Sequence, residues 1–250
     1  MIVSHKYRFI FIKTGKVGGT SLEIALSKFL GPRDIATPIT LEDEEERYDR
    51  GFATAQNFQK SFAEMGPRDF WKWLECSLPA AFVGGKKRAF ARRKLPRKFW
   101  NHMGAEQVRD LVGKEVWDGY FKFTVERNPW DKVVSMYYWD KKEKRKGQTF
   151  HDFVSSGMGY KSDFDFYSIG GIPQADKIVL YHRMEEGLTE VSEQVGLPEN
   201  LFEVMKNIRA KGKYRRGKGF REHYDEHLKR IVSIQYAREI ALLGFDFDMG

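Results

Sequence analysis

Apolar positions recur along this chain in two rhythms, and the switches between them outline its elements. Residues 7–12 (YRFIFI) form a short run of aromatic and β-branched side chains, the pattern of a buried strand. Residues 120–125 (YFKFTV) and 177–181 (KIVLY) repeat it. Helical spacing follows each run. Residues 21–30 read as a helix closed by Gly31 and Pro32. Residues 130–142 read as a longer one, opened by Asn128 and Pro129 in N-cap and first-turn positions. A third covers 184–195, residues 105–111 also suit a helix, and 222–243 predict one long final helix. Strands alternating with helices predict an α/β fold with a central, mainly parallel sheet flanked by helices. Residues 33–100 have weak periodicity, and 143–176 interrupt the pattern again. No repeat or low-complexity linker appears, so residues 1–250 read as a single domain with 33–99 and 143–176 as elaborations.

Composition narrows the class. With 41% hydrophobic and 31% charged residues over 250 positions, the chain has core enough to fold without staples. No apolar run approaches the ~20 residues needed to cross a bilayer, so membrane insertion is not expected. Residues 1–14 lack the long apolar stretch and small-residue cleavage site of a secretory signal. Cys76 is the single cysteine, which excludes an internal disulfide and suits a reducing, cytoplasmic location.

The formal charge is 43 − 35 = +8, and it is clustered. Residues 86–98 hold eight basic side chains and no acidic one, and 206–221 hold another eight with no acid. Residues 42–49 form an acidic run. Such basic clusters attract polyanions, although a solvated surface explains any one of them equally well. No zinc-finger spacing or RNP-type aromatic signature points to nucleic acid.

Residues 13–21 (KTGKVGGTS) join the first strand to the first helix. A glycine-rich turn at that place presents backbone N–H groups and a helix N-terminus to an anion. Gly18 and Gly19 permit close approach, Lys16 supplies a point charge, and Thr20 and Ser21 supply hydroxyls. The lysine precedes the glycine pair, so the nucleoside-triphosphatase pattern G-x-x-x-x-G-K-[ST] fails. Arg127 ends the second strand and Ser135 lies two turns into the following helix, where both can converge on one anionic group beyond the sheet's carboxyl edge.

Together these residues resemble PAPS-dependent sulfotransferases, closest to the group that sulfates carbohydrates. Lys16, Val17, Gly18, Gly19, Thr20 and Ser21 are similar to that family's 5′-phosphosulfate loop. The stretch 127–135 (RNPWDKVVS) resembles its 3′-phosphate motif, including the step from arginine to serine. Residues 101–106, 178–186, 196–198, 223–225 and 244–247 extend the likeness, which leaves 33–99 and 143–176 uncovered. Two positions depart from the pattern. Gly15 stands where a proline often precedes the loop lysine, and Glu126 stands where an apolar residue is common.

The resemblance implies a P-loop-like three-layer fold and transfer of a sulfuryl group from PAPS to an acceptor hydroxyl or amine, without metal. It assigns Lys16 to the oxygen that gains charge as the sulfuryl group leaves. It assigns the 5′-phosphate to residues 18–21, and the 3′-phosphate to Arg127 and Ser135, with Arg216 and Lys218 closing over it. Tyr214 or Phe220 is the candidate for stacking on adenine. His102 is the candidate general base, with a carboxylate in 33–75 or His182 as alternatives. His223 and His227, four apart, are two metal-ligand types without a third. The elaborations are rich in aromatic and basic residues, which suits a saccharide acceptor, while a lipid, phenol or amine remains open. Two other classes fit the same loop and charge: a Mg-dependent nucleotide or small-molecule kinase, and a non-catalytic polyanion binder. Oligomeric state has no signature here.

Overall fold

The computed structural model describes residues 1–81, 94–143, 147–157, 162–208 and 219–249. Its sheet begins with a hairpin. Strands β1 (Ile2–Ser4) and β2 (Phe9–Phe11) pair antiparallel with Ile2 opposite Phe11. The Asp34 carboxylate organises their turn, accepting from the backbone N–H groups of His5 (2.7 Å), Lys6 (3.1 Å) and Gly31 (2.8 Å) and from the Ser4 hydroxyl (2.9 Å). That anchor sets β3 (Ile35–Ala36) antiparallel beside β1. On the other side β2 pairs parallel with β4 (Phe121–Glu126), and β4 pairs parallel with a strand at Lys177–Leu180. A separate two-stranded ribbon, β5 (Ser168–Ile169) and β6 (Ile172–Pro173), precedes that last strand, which is therefore β7. The order is β3-β1-β2-β4-β7.

The fold is thus α/β, as the alternation predicts, but the sheet is mixed rather than mainly parallel. The two antiparallel pairings come from β1 and β3, strands of three and two residues. Segments that short complete no measurable period, so the apolar pattern cannot separate them from their surroundings.

Helices cover both faces. Helix α1 (Gly19–Ser27) follows β2, and on its side Phe9, Phe11, Phe123, Val125 and Val179 pack against Leu22, Ala25 and Leu26. Val3, Ile10 and Ile12 point the other way, toward Met103, Ala105, Val108 and Trp117. The acidic run becomes helix α2 (Leu41–Asp49), capped by Thr40, and α3 spans Pro67–Ala81. Helices α4 (Ala105–Val112) and α5 (Lys114–Gly119) lead into β4. Helix α6 (Pro129–Glu143) starts as its sequence predicts, with Asn128 Oδ1 accepting from Trp130 N at 3.1 Å. It packs on α7 (Phe150–Ser155) and on the C-terminal segment through Val133, Tyr137, Phe153 and Val232. After α8 (Phe164–Tyr167) and β7 come α9 (Met184–Val195) and α10 (Leu201–Lys206).

The long final helix expected over 222–243 is broken. A 3-10 turn occupies Phe220–His223, α11 runs Glu226–Gln235, and α12 runs Ala237–Leu243. Asp225 caps α11 through Leu228 N, which starts the helix late. Tyr236 leaves helical geometry with its side chain wholly buried in the third apolar cluster. Among the described residues no helix is long and apolar enough to cross a membrane.

Strand β7 and helix α9 meet closely at Gly187, where a Cβ would lie 2.6 Å from Val179 Cγ1. Gly187→Ala is therefore expected to destabilise the chain by about 1–3 kcal/mol through overpacking. Val179→Ala in the same chain is expected to restore part of that loss, read as the midpoint of urea unfolding. A purely additive double variant would contradict the contact.

Candidate functional site

The loop between β2 and α1 is shaped by three constraints. Lys16 and Gly18 both take left-handed backbone conformations, with φ of 59° and 73°. Gly18 does so without strain and begins α1, whose first turn has no side-chain cap. Those N–H groups and the positive end of a nine-residue helix face outward from an exposed glycine. Gly19 has another reason: a Cβ there would lie 3.1 Å from the buried Lys13 chain.

Lys13 fixes the base of the loop. Its Nζ lies 2.5 Å from Glu23 Oε2 and 3.4 Å from Thr20 Oγ1. The Met1 amine bonds Glu23 from the other side. Burial works to raise the Glu23 carboxyl, yet the charge of Lys13 beside it holds the pKa down at about 2. Val17 is fully buried under α1, so only its backbone is left to meet an anion.

Arg127 reaches this loop. Its Nη1 donates to the Lys16 carbonyl at 3.1 Å, its Nε and Nη2 both lie 2.6 Å from Asp131 Oδ2, and its guanidinium sits 4.4 Å over the Tyr181 ring. Asp131, Ser135 and Trp139 are spaced four apart on α6 and share one face. Arg127 meets that face at Asp131, and Lys16 Nζ meets it at Trp139, 5.2 Å from the ring. Ser135, half-buried, lies between them. The structure therefore brings Lys16 and Arg127 together against the face of α6 that carries Ser135.

His102 approaches from the opposite face of the sheet. Its backbone is left-handed (φ 58°), and its Nδ1 lies 3.2 Å from the Lys13 carbonyl. A carbonyl only accepts, so Nδ1 carries the proton and Nε2 keeps a lone pair. Burial and then the nearby Lys13 charge lower its pKa from 6.5, which keeps the imidazole neutral near pH 7. Helix α4 begins without it: Gly104 N is bonded by Gln107 Oε1, so His102 is not a helix cap. Three carboxylates of 33–75 have structural duties. Glu44 holds Arg47 and the backbone of Ile39 and Ala55, Glu64 holds Lys98, and Asp69 holds Lys60.

Other candidates separate. Phe220 is buried against Phe247 and is not free to stack on a base. Arg216, Lys218 and Tyr214 lie outside the described residues. His223 bonds Tyr138 and the Gly219 carbonyl while His227 stacks on His151, so the pair does not converge. Tyr181 is an aromatic near the loop that the sequence pattern does not single out. It follows β7 directly and lines a cleft of about 800 Å³ together with Gly18, Ser21, His182, Arg183 and Phe202. A strand's carboxyl end was the available signal.

A buried ion triad supports the loop from below. Lys132 Nζ lies 2.9 Å from Glu126 Oε2 and 2.6 Å from Asp163 Oδ2, and all three side chains are almost fully buried. Asp163 Oδ2 also accepts from Gly15 N at 2.6 Å, and Glu126 Oε2 from Arg127 N at 3.1 Å. Burial pushes Glu126 up to about 7 against the pull of Lys132. Lys132 keeps a raised pKa, because its two carboxylates outweigh its own burial.

No protein-family profile matches the chain. A protein of Archaeoglobus fulgidus, described as uncharacterized, is 36% identical over 120 residues, which span 98% of that protein and 46% of this chain. The two belong to one family. That kinship carries no activity with it, and more than half of this chain lies outside the shared part.

The triad makes stability depend on pH. An acid with a raised folded pKa holds its proton while the unfolded chain, with its carboxyl near 4.5, has already lost it. The contribution of Glu126 therefore falls as pH climbs from about 4.5 to about 7. Glu126→Gln lacks this titration, so its melting temperature relative to the parent is expected to increase between about pH 5 and pH 8. A constant difference across that range would show that Glu126 ionises as it does in the unfolded chain.

Proposed function

We propose that this chain is a PAPS-dependent sulfotransferase, acting on an acceptor hydroxyl or amine. One observation carries the reading: the Arg127 guanidinium bonds the Lys16 carbonyl at 3.1 Å, which unites two motifs more than a hundred residues apart in sequence. The uncapped start of α1 and a neighbouring cleft within the usual ~300–1,000 Å³ of ligand sites support it. A P-loop-like layered arrangement and a cytoplasmic location belong to the same reading.

PAPS supplies an activated sulfuryl group, so positioning and charge stabilisation provide most of the catalysis. In this reading the N–H groups of residues 18–21 hold the 5′-phosphate, with the Ser21 hydroxyl. The Thr20 hydroxyl is shared with Lys13. Lys16 neutralises charge on the bridging oxygen. Arg127 has five N–H donors, of which two on Asp131 and one on Lys16 are committed. One hydrogen on each η nitrogen remains for the 3′-phosphate, joined by Ser135. Because Asp131 already balances Arg127, further positive charge for a dianion comes from Lys16 and the basic segment 206–221, where Arg216 and Lys218 stand. Tyr181 offers the adenine a ring at the cleft wall. His102, neutral and with Nε2 unprotonated, takes the acceptor proton. A saccharide is the acceptor class the aromatic and basic elaborations favour.

Adenosine 3′,5′-bisphosphate is expected to raise the melting temperature more than 5′-AMP does, and Arg127→Ala to erase that difference. Equal shifts with the unaltered chain would argue against a 3′-phosphate site. Turnover of labelled PAPS against mixed acceptors is expected to survive chelators, which a Mg-dependent kinase would not. Lys16→Ala is expected to lose most turnover. His102→Ala is expected to lower kcat by about 10²–10⁴-fold while binding of the bisphosphate is unchanged. Full activity in the histidine variant would move the base elsewhere.

A further inference from the structure

Helix α6 carries an indole, Trp139, that packing does not account for. The side chain is 42% exposed and belongs to none of the three apolar clusters, although Trp130, Val133, Val134 and Tyr137 of the same helix build the third. Its ring lies under the Lys16 ammonium, 5.2 Å from Nζ. Whatever fixes that ammonium decides which oxygen it can neutralise.

A lysine head on a flexible four-carbon stem has no fixed place of its own. Two features of the loop turn it toward α6. Residue 16 is left-handed, φ 59°, a conformation that a residue with a Cβ keeps only where its surroundings hold it. The holding groups flank it: Arg127 Nη1 bonds its carbonyl at 3.1 Å, and the next side chain, Val17, is fully buried. The stem then ends on the indole. Asp131, eight residues earlier on α6, holds Arg127 at 2.6 Å. One helix face thus sets both cations, at anchor points about 12 Å apart along its axis.

The kind of contact matters as much as its place. The contact of Lys13 with the Glu23 carboxylate cancels charge and serves the fold. An indole face attracts an ammonium through its quadrupole and has no net charge to cancel. A cation held this way keeps its field for an anionic oxygen, and the ring yields to the stronger charge-assisted bond.

We propose that Trp139 is a positioning residue of sulfuryl transfer: its indole face holds the Lys16 ammonium where the bridging oxygen of the donor arrives. In that step the acceptor atom bonds sulfur as the bond from sulfur to the bridging oxygen breaks. The electron pair stays on the bridging oxygen, beside Lys16, and the acceptor proton goes to His102. Trp139 touches Lys16 and not the reacting atoms. The role rests on the sulfotransferase reading, whereas the contact can be measured without it.

The contact is read by NMR on the full chain labelled with ε-¹³C-lysine, with the Lys16 signal assigned by Lys16→Arg. The indole ring current is expected to move that signal upfield. Trp139→Leu is expected to abolish the shift, Trp139→Phe to keep part of it, and Trp71→Leu to leave it unchanged. The role is read by PAPS turnover. Trp139→Leu is expected to lower kcat about fivefold, the worth of one exposed cation–ring contact, with KM for PAPS unchanged. Trp139→Phe is expected to recover part of that loss, and thermal melting of both variants to match the parent. In a Lys16→Ala background Trp139→Leu is expected to have no further effect on the residual rate. Absence of the upfield shift overturns the proposal. So does a kcat that ignores Trp139, or an equal loss in the Lys16→Ala background, while the parent turns over PAPS. A parent without PAPS turnover overturns the sulfotransferase reading and this role with it.

Discussion

A buried ammonium, Lys132, holds the candidate site together. Taking it out of water costs several kcal/mol, which only close carboxylates offset. Glu126 and Asp163 do so at 2.9 and 2.6 Å. Each carboxylate then uses its remaining capacity on backbone: Glu126 on Arg127 N, Asp163 on Gly15 N. One charge on α6 thereby fixes the end of β4, the entry of the glycine loop and the segment before α8. Removing the ammonium would leave two facing carboxylates in the interior, a loss of about 3–5 kcal/mol that exceeds any single surface contact.

The two departures from the sulfotransferase pattern, at Gly15 and Glu126, are parts of this one network. A proline at position 15 has no N–H to give Asp163. An apolar residue at 126 would leave Lys132 with Asp163 as its remaining carboxylate in the triad. Read singly, the glycine suggests only a looser loop and the glutamate a misplaced charge beside Arg127. The geometry gives both a common cause, with the Glu126 carboxylate turned inward to Lys132 and the Arg127 side chain directed away from it, to Asp131 and Lys16.

What the sequence made legible follows from range. Strands β2, β4 and β7 carry enough apolar residues to register as buried runs, and helix α6 carries its own cap, so these elements appear where expected. The glycine loop and Arg127 were legible as separate local patterns, and their junction at Lys16 could be inferred only through a resemblance. Strands β1 and β3 were too short to show periodicity, and that hid the antiparallel half of the sheet. Buried charge hides more completely. Lys13, Glu23, Lys132 and Asp163 look in one dimension like any solvated residue, because burial is decided by partners 6 to 148 positions away. Tyr181 was readable as the end of a strand, but its place over Arg127 was not.

The connection between the exposed indole of Trp100 and the candidate base is short. Arg97, Lys98 and Trp100 line a cavity of about 390 Å³ together with Glu64 and Asp110, and two residues after Trp100 the His102 ring meets the Lys13 carbonyl at the root of the loop. Two residues span at most about 7 Å of backbone, so the indole and the imidazole are one segment apart. The left-handed backbone at His102 and the burial of Phe99 and Met103 on either side leave that segment little freedom. A group held at Trp100 is therefore held at a defined reach from His102.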